Sequence, residues 1–282
     1  MAVTAADVKK LRDATGVGPA ECKKVLTETD GDFDKAVKIL KERGLAAAAK
    51  RSDRATNQGR VTVKVKDGVA VLVELATETD FVARNPDFIA LGEAIADKIL
   101  NEGYAETDER LNGMVKDLAT AIRENMSLKR IKVIKAAANQ YLSSYIHGDG
   151  AIGVVVLVSA DKPDVFAKEE AQSFALSLAM HIAAFNPLAV SVADVDAGLI
   201  KEQEDLFRKQ MAQDEKLKGK PANVLDGILK GKVNKYLADI CLLDQGYIKN
   251  DKITVKQALA DEGKQLGTVF KIEQYSNFKV GA

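Results

Sequence analysis

The chain has 282 residues with 41 Lys and Arg against 41 Asp and Glu, so its formal net charge is zero, and 46% of its residues are hydrophobic. This length and apolar content predict about two domains with real cores. Balanced charge disfavours a protein that binds nucleic acid by general phosphate attraction, and the absence of Trp disfavours a base-stacking surface.

The cysteines and the apolar runs bear on the compartment. Cys22 and Cys241 show no ligand spacing, which predicts reduced thiols in a reducing compartment. No apolar run is long enough to span a bilayer, and the chain begins with a capped helix instead of a signal or transit segment. We therefore expect a soluble protein of the cytoplasm with no membrane role.

In residues 1–45, apolar residues recur at helical spacing in three short segments, which predicts a three-helix module. A capping-box pattern at Thr4 begins the first helix, Pro19 begins the second, and the third is expected to end at Gly44. So small a core is typical of a docking unit and not of an enzyme. The alanine run, basic cluster and polar residues of 46–59 predict a linker.

A hairpin is predicted at the start of the next region, residues 60–139, which we interpret as the first half of a core. β-branched residues recur at alternate positions in residues 61–65 and 69–75, and Asp67-Gly68 between them is a strong turn signal. A helix is predicted after the hairpin. Apolar spacing then predicts a second helix at about 107–125, followed by a strand with one solvent-exposed face.

The connection from the hairpin to its helix, residues 77–84, places the acidic Asp80 beside the large apolar Phe81. Asn85 and Pro86 predict the start of the following helix. Strand-to-helix connections lie on the surface and often carry function. An aromatic residue after a strand is more commonly core, however, and Asp80 could serve only as a cap. The residues alone leave a functional and a structural interpretation open.

Residues 140–282 repeat the order of the first half. A strand–turn–strand unit around Gly148-Asp149-Gly150 precedes a helix through Phe174 and Ile182, which predicts an internal duplication. The second copy has an acid after its strand but no counterpart of Asp80-Phe81. The fold is thus not expected to need an aromatic residue there, which favours a functional role for Phe81.

A helical hairpin is predicted at about residues 190–240, with charged outer faces that would let it protrude. Beyond it, Ile240–Leu243 and Thr268–Glu273 are strand-like, and Thr254 is expected to cap a short helix that ends at Gly263. Together the elements predict an α+β protein.

The sequence offers no convincing catalytic or metal site. Its two histidines are His147, beside a predicted turn, and His181, on a helix among apolar residues. It contains no Gly-rich phosphate loop, no Ser-x-x-Lys pair and no metal-spaced set of His and Cys. We therefore expect no enzymatic activity, no cofactor and no bound metal.

Two segments carry longer motifs. The first is residues 11–26, LRDATGVGPAECKKVL, and the second is residues 74–84, ELATETDFVAR. In this order they resemble the N-terminal signature and the second signature of the elongation factor Ts family. The segment 180–184, MHIAA, and the duplicated core agree with the same family, and the resemblance covers essentially the whole chain.

The resemblance implies a fold and a function. The fold is an N-terminal three-helix, ubiquitin-associated-like module followed by a duplicated antiparallel sheet-plus-helix core with a protruding helical hairpin. The function is guanine-nucleotide exchange on elongation factor Tu, bound nucleotide-free or with GDP, during translation elongation. No direct contact with nucleic acid is implied. Both a one-to-one complex and a doubled heterodimer remain open.

The resemblance also implies which residues act. The element expected to disturb the magnesium and phosphate region of the partner consists of Thr79, Asp80, Phe81 and Val82. Further partner contacts are implied at Arg12, Pro19, Ala20 and His147. Many family members carry methionines at the positions of Pro19 and Ala20, so the apolar contact at this tip is expected to be smaller here.

Two other functions are compatible with parts of the sequence. A passive adaptor would use its three-helix module to hold a ubiquitin-like or nascent-chain partner, and Phe81 would then be a core residue. A ribosome-associated RNA binder would need a contiguous basic face, which the neutral total charge disfavours.

Overall fold

The computed structural model describes residues 3–49, 51–104 and 106–282, with the backbone alone for 45–49. The chain divides into two compact units. The first runs to Ile134 and also contains Ile146–Gly153 and Phe278–Ala282; the second contains Lys135–Tyr145 and Val154–Asn277. No helix among the described residues is long and apolar enough to cross a membrane.

The first unit begins with the predicted three helices, α1 (Ala5–Thr15), α2 (Pro19–Glu28) and α3 (Phe33–Ala49). Thr4 caps α1 in a capping box, as predicted. Their shared core consists of Leu11, Cys22, Val25, Leu26, Ala36 and Leu40. The prediction that the third helix ends at Gly44 is wrong. A glycine costs a helix only about 1 kcal/mol, and the alanines that follow Gly44 are the best helix formers.

The remaining elements of the first half are β1 (Gln58–Lys66), β2 (Val69–Thr77), α4 (Asp80–Ala83), α5 (Pro86–Glu102), α6 (Glu109–Ile122) and β3 (Met126–Lys135). β1 and β2 form the predicted antiparallel hairpin, whose turn has φ 49° at Asp67 and 75° at Gly68. Positive φ at both turn residues matches the twist of paired strands. The sheet order is β1-β2-β3. β2 is therefore central, and α5 packs against the hairpin.

The second half consists of β4 (Gln140–His147), β5 (Ile152–Ala160), α7 (Glu169–Phe185), α8 (Ala197–Gln213), α9 (Ala222–Ile240), β6 (Gly246–Tyr247), β7 (Asn250–Thr254), α10 (Val255–Leu266) and β8 (Phe270–Lys279). Its main sheet has the order β4-β5-β8. In both sheets the second strand of a hairpin is central, and in both β2 and β5 every residue after the first is buried. This correspondence confirms the predicted duplication.

Two predicted boundaries in the second half are wrong. Ile240–Leu243 is not a strand, because α9 continues to Ile240 and a 3-10 turn follows at Leu242–Asp244. Cys241 and Leu242 are both fully buried, and a short apolar run buried on all sides has no period that separates strand from helix. The helix capped by Thr254 passes Gly263 and ends at Leu266, with Gly267 at φ 72° as its C-cap.

His181 lies on α7 and is completely buried. Its Nδ1 accepts a hydrogen bond from the backbone N–H of Ile248 at 3.2 Å, so the ring proton is on Nε2, which lies 3.0 Å from the side-chain oxygen of Gln245. A protonated ring would have to give up the bond to Ile248. Burial lowers the pKa of His181 below its ordinary value, although the bond to Gln245 acts in the opposite direction.

This burial has a consequence for stability. Below the unfolded-state pKa of about 6.5, the unfolded chain binds a proton at His181 that the folded chain does not bind. The free energy of unfolding is therefore expected to be unaffected by His181 above that pH and to fall by up to about 1.4 kcal/mol per pH unit as the pH drops toward the folded pKa. Urea unfolding between pH 7.5 and 5.5 measures this.

Proton NMR can follow the titration of the His181 ring separately from that of other groups, because the chain has only two histidines. The variant His147→Gln leaves the His181 signal alone in the spectrum, which assigns it. A His181 ring that titrates at or above about 6.5 in the folded protein would contradict the expected loss of stability.

Candidate functional site

The connection after β2 folds into the single helical turn α4, which brings the four residues Thr79, Asp80, Phe81 and Val82 together. Thr79 begins the turn, and its hydroxyl accepts a hydrogen bond from the backbone N–H of Val82 at 3.4 Å. Val82 is 7% exposed and packs in the core of the first unit. Phe81 is 83% exposed. The buried valine thus fixes the turn, and the turn presents the aromatic ring to solvent.

Glu124, which follows α6 in the chain, holds the base of this turn in place. Its carboxylate accepts hydrogen bonds from the hydroxyl of Thr79 at 2.9 Å, the backbone N–H of Thr79 at 3.2 Å and the hydroxyl of Thr77 at 3.1 Å. Thr77 is completely buried. Hydrogen bonds to a charged acceptor are the stronger kind, so the base of the turn is held firmly.

Sequence reasoning missed Glu124. It lies 45 residues after Thr79 in the chain and belongs to no local motif. The only signal was indirect: two threonines in a short strand-to-helix connection need acceptors, and Glu124 stands where α6 gives way to β3. No pattern in the sequence pairs these positions.

Charged residues flank Phe81 in the chain. Asp80 and Arg84 form an ion pair at 3.4 Å on the surface, which stabilises the turn little. The carboxylate of Glu78 accepts a hydrogen bond from the backbone N–H of Asn125 at 2.6 Å and lies 3.3 Å from Arg54. These contacts, the bond from Asn125 first, hold the pKa of Glu78 below its ordinary value. Glu78 is therefore a charged, fixed neighbour of the turn.

The corresponding connection in the second copy is built differently. It is a 3-10 helix, Pro163–Ala167, in which Val165 is 4% exposed. When the two copies are aligned on their buried valines, Asp164 stands in the place of Phe81. The aromatic residue of the second copy is Phe166, which stacks on Tyr141 with ring centroids 5.2 Å apart. This connection buries a valine in both copies, and it exposes a phenylalanine only in the first.

The other predicted contact residues lie elsewhere. Arg12, Pro19 and Ala20 line one groove of about 540 Å³ on the N-terminal module, together with the apolar Val3 and Val8. Arg12 also forms an ion pair with Asp13 at 2.7 Å, on the surface of the module.

His147 is exposed at the end of β4 and belongs to neither the groove nor the α4 turn. The described residues contain no group of three or more His, Cys, Asp or Glu side chains that could hold a metal ion.

The chain matches the family model described as Elongation factor TS over residues 78–282. It is 46% identical to Elongation factor Ts of Treponema denticola over 281 residues, which covers 100% of this chain and 99% of that protein. It is 40% identical to Elongation factor Ts of Borrelia recurrentis over 282 residues, which covers 100% of both chains. These matches confirm the resemblance seen in the sequence: the chain belongs to the elongation factor Ts family of translation elongation factors.

Proposed function

We propose that the chain is a guanine-nucleotide exchange factor that binds elongation factor Tu and promotes the release of GDP in the cytoplasm. It would bind the GDP-bound and nucleotide-free partner and would carry out no covalent chemistry of its own. The observation that carries the proposal is the ring of Phe81, 83% exposed on a turn that Glu124 holds in place. A large apolar ring fixed in solvent is typical of a residue that enters a partner.

The rigidity of the turn supports insertion of the ring. Burying a phenylalanine side chain contributes about 1.5–3 kcal/mol, but ordering a mobile loop on binding offsets part of that gain. Thr79 and Val82 fix the turn before any partner arrives, since one caps it and the other packs in the core. More of the binding free energy then remains to distort the partner.

The charge beside the ring supports the choice of target. In nucleotide sites, magnesium bridges the phosphate oxygens and offsets their mutual repulsion. The carboxylate of Asp80, next to the intruding ring, would compete for the metal and repel the phosphates. Disturbing the metal in this way weakens GDP binding without any acid or base catalysis.

A second contact would hold the partner while the turn acts. We assign docking to the module of residues 1–45, through the groove that contains Arg12, Pro19 and Ala20, and a further contact to His147. The linker 46–59 and the core halves 60–139 and 140–282 complete the proposed division. The adaptor alternative required Phe81 in the core, and its exposure opposes that alternative.

Thermodynamic linkage gives the experiment. If the chain weakens GDP binding, GDP must weaken binding of the chain by the same ratio. Titration calorimetry of the chain into nucleotide-free elongation factor Tu, and into the same protein with saturating GDP, is expected to show Kd values that differ by at least about fivefold. Equal Kd values would refute exchange and support a passive adaptor.

A further inference from the structure

We infer that Thr120–Asn125, where α6 ends, is a rigid link that fixes the N-terminal module at a set distance and angle from the Phe81 turn. The inference rests on the proposed function for its consequence, but its structural part can be tested without any partner. Within this short link segment the chain contacts the module, the linker that follows the module, and the base of the α4 turn.

The module contacts the N-terminal end of the link segment. α3 packs on α6, and Gly44 approaches Thr120 so closely that a Cβ atom at Gly44 would lie 2.1 Å from the Cγ2 atom of Thr120. Real Cβ atoms do not approach another atom that closely, so a side chain at position 44 would force Thr120 to move. A Cβ atom at Gly16, where α1 ends, would lie in ordinary contact distance of Ala121, and Lys41 faces Asp117 at 3.7 Å.

α6 ends abruptly after this contact. Arg123 adopts the left-handed conformation with φ 69°, and its N–H donates to the carbonyl of Ala119 at 2.9 Å. Left-handed backbone is unfavourable for a residue other than glycine, so the surroundings must impose it. The bend directs Glu124 and Asn125 to the α4 turn.

Asn125 binds the linker and the turn together. Its side-chain amide donates to the backbone carbonyls of Ser52 at 3.0 Å and Arg54 at 2.7 Å. Its backbone N–H donates to Glu78, next to the turn, at 2.6 Å. The linker is therefore not a free tether, because the part that follows the module is hydrogen-bonded at the base of the site.

The consequence concerns binding. Two contact surfaces on one rigid body engage a partner at a high effective concentration only when their spacing matches the partner, and a fixed spacing avoids the entropy cost of ordering a linker. Asn125 and Gly44 are thus positioning residues for exchange, not contact residues. A substitution that removes the contacts of either residue should weaken binding of the partner, while the Phe81 turn can still promote GDP release once the partner is bound.

The structural test measures a distance distribution by double electron–electron resonance. Spin labels are placed on the exposed positions Lys38 and Asp87 through K38C and D87C, while Cys22 and Cys241 are buried and shielded from labelling. We expect one narrow distance in the labelled chain. Asn125→Ala is expected to broaden it at least about twofold, since the linker loses two of its hydrogen bonds.

Lys116→Ala, an exposed change on the same helix, serves as the matched control and is expected to leave the distribution narrow. A broad distribution in the labelled parent chain, or an unchanged narrow one in Asn125→Ala, would overturn the rigid link. Both outcomes are read without elongation factor Tu, so they do not depend on whether the chain is an exchange factor.

The functional test separates positioning from a merely structural role. In GDP release from elongation factor Tu, Asn125→Ala is expected to raise the half-saturating concentration of the factor about tenfold with the maximal rate unchanged. An unchanged half-saturating concentration, or a loss confined to the maximal rate, would overturn the positioning role. If the parent chain accelerates no release at all, the proposed function fails and the distance measurement alone decides the link.

Discussion

Replacing Phe81 with alanine is expected to reduce the acceleration of GDP release by roughly 10- to 100-fold, because the variant forfeits about 1.5–3 kcal/mol of apolar burial in the partner. The fold should be unaffected. Phe81 is 83% exposed, and substitutions at such surface positions usually change the free energy of unfolding by at most about 0.5 kcal/mol. Stopped-flow release of fluorescent GDP from elongation factor Tu, paired with urea unfolding, measures both quantities.

Phe166→Ala is the matched control, since Phe166 is the aromatic residue of the corresponding connection in the second copy. Its ring stacks on Tyr141 and contacts Phe270, so its loss should lower the free energy of unfolding by about 1–3 kcal/mol. The acceleration of GDP release by Phe166→Ala, measured under conditions in which the variant remains folded, should change little. A destabilised Phe81→Ala, or one with full exchange activity, would contradict the role assigned to this ring.

Glu124→Ala has the second-largest expected effect. The substitution removes the acceptor of Thr77 and of Thr79 at once. Thr77 is completely buried, and a buried hydroxyl that loses its partner costs about 1–3 kcal/mol of unfolding free energy. The α4 turn should also become mobile, which is expected to reduce exchange by about tenfold, since ordering it on binding would consume part of the burial energy of the ring.

Glu124→Gln separates the charge from the hydrogen bonds, because its amide oxygen can still accept from the threonines. Its loss of stability and of exchange should be smaller than that of Glu124→Ala. Unfolding curves and GDP-release rates for the pair provide the comparison. Equal effects of the two substitutions would show that the carboxylate acts through its charge alone. Unchanged exchange in Glu124→Ala would contradict the need for a fixed turn.

Features set by neighbouring residues could be predicted from the sequence. Asp67-Gly68 marked the first hairpin and Asn85-Pro86 the start of α5, and the structure confirms both. The threonine cap at Thr4 is another case. Turn and cap chemistry depends on hydrogen bonds between residues a few positions apart, so a single sequence contains what decides them.

Features set by distant contacts could not be predicted. Glu124 and Asn125 support the site through partners 45 to 73 residues away in the chain. α3 continues past Gly44, which lies against α6, whereas a lone glycine in a sequence is equally typical of a helix end. The strands β6 and β7 are also absent from the prediction, since β6 has only two residues and β7, with the sequence NDKIT, contains one apolar residue and so shows no alternation.

The orientation of the Phe81 side chain shows most clearly what could not be predicted from the sequence. From the sequence, an aromatic residue after a strand fitted the core as well as a partner contact. Packing decided the matter, because Val82 occupies the core position in the first copy and Val165 does so in the second. The duplication was the useful signal, since it showed that the fold completes the same connection without an aromatic residue in that place.

The most direct test of exchange is the rate at which fluorescent GDP leaves purified elongation factor Tu when excess unlabelled nucleotide is added, with and without a saturating amount of this chain. Coupling of ordinary size weakens GDP binding at least about fivefold, and such losses of affinity fall mostly on the dissociation rate, so release is expected to be at least about fivefold faster in its presence. A release rate that the chain leaves unchanged, under conditions where it binds elongation factor Tu, would contradict the proposed function.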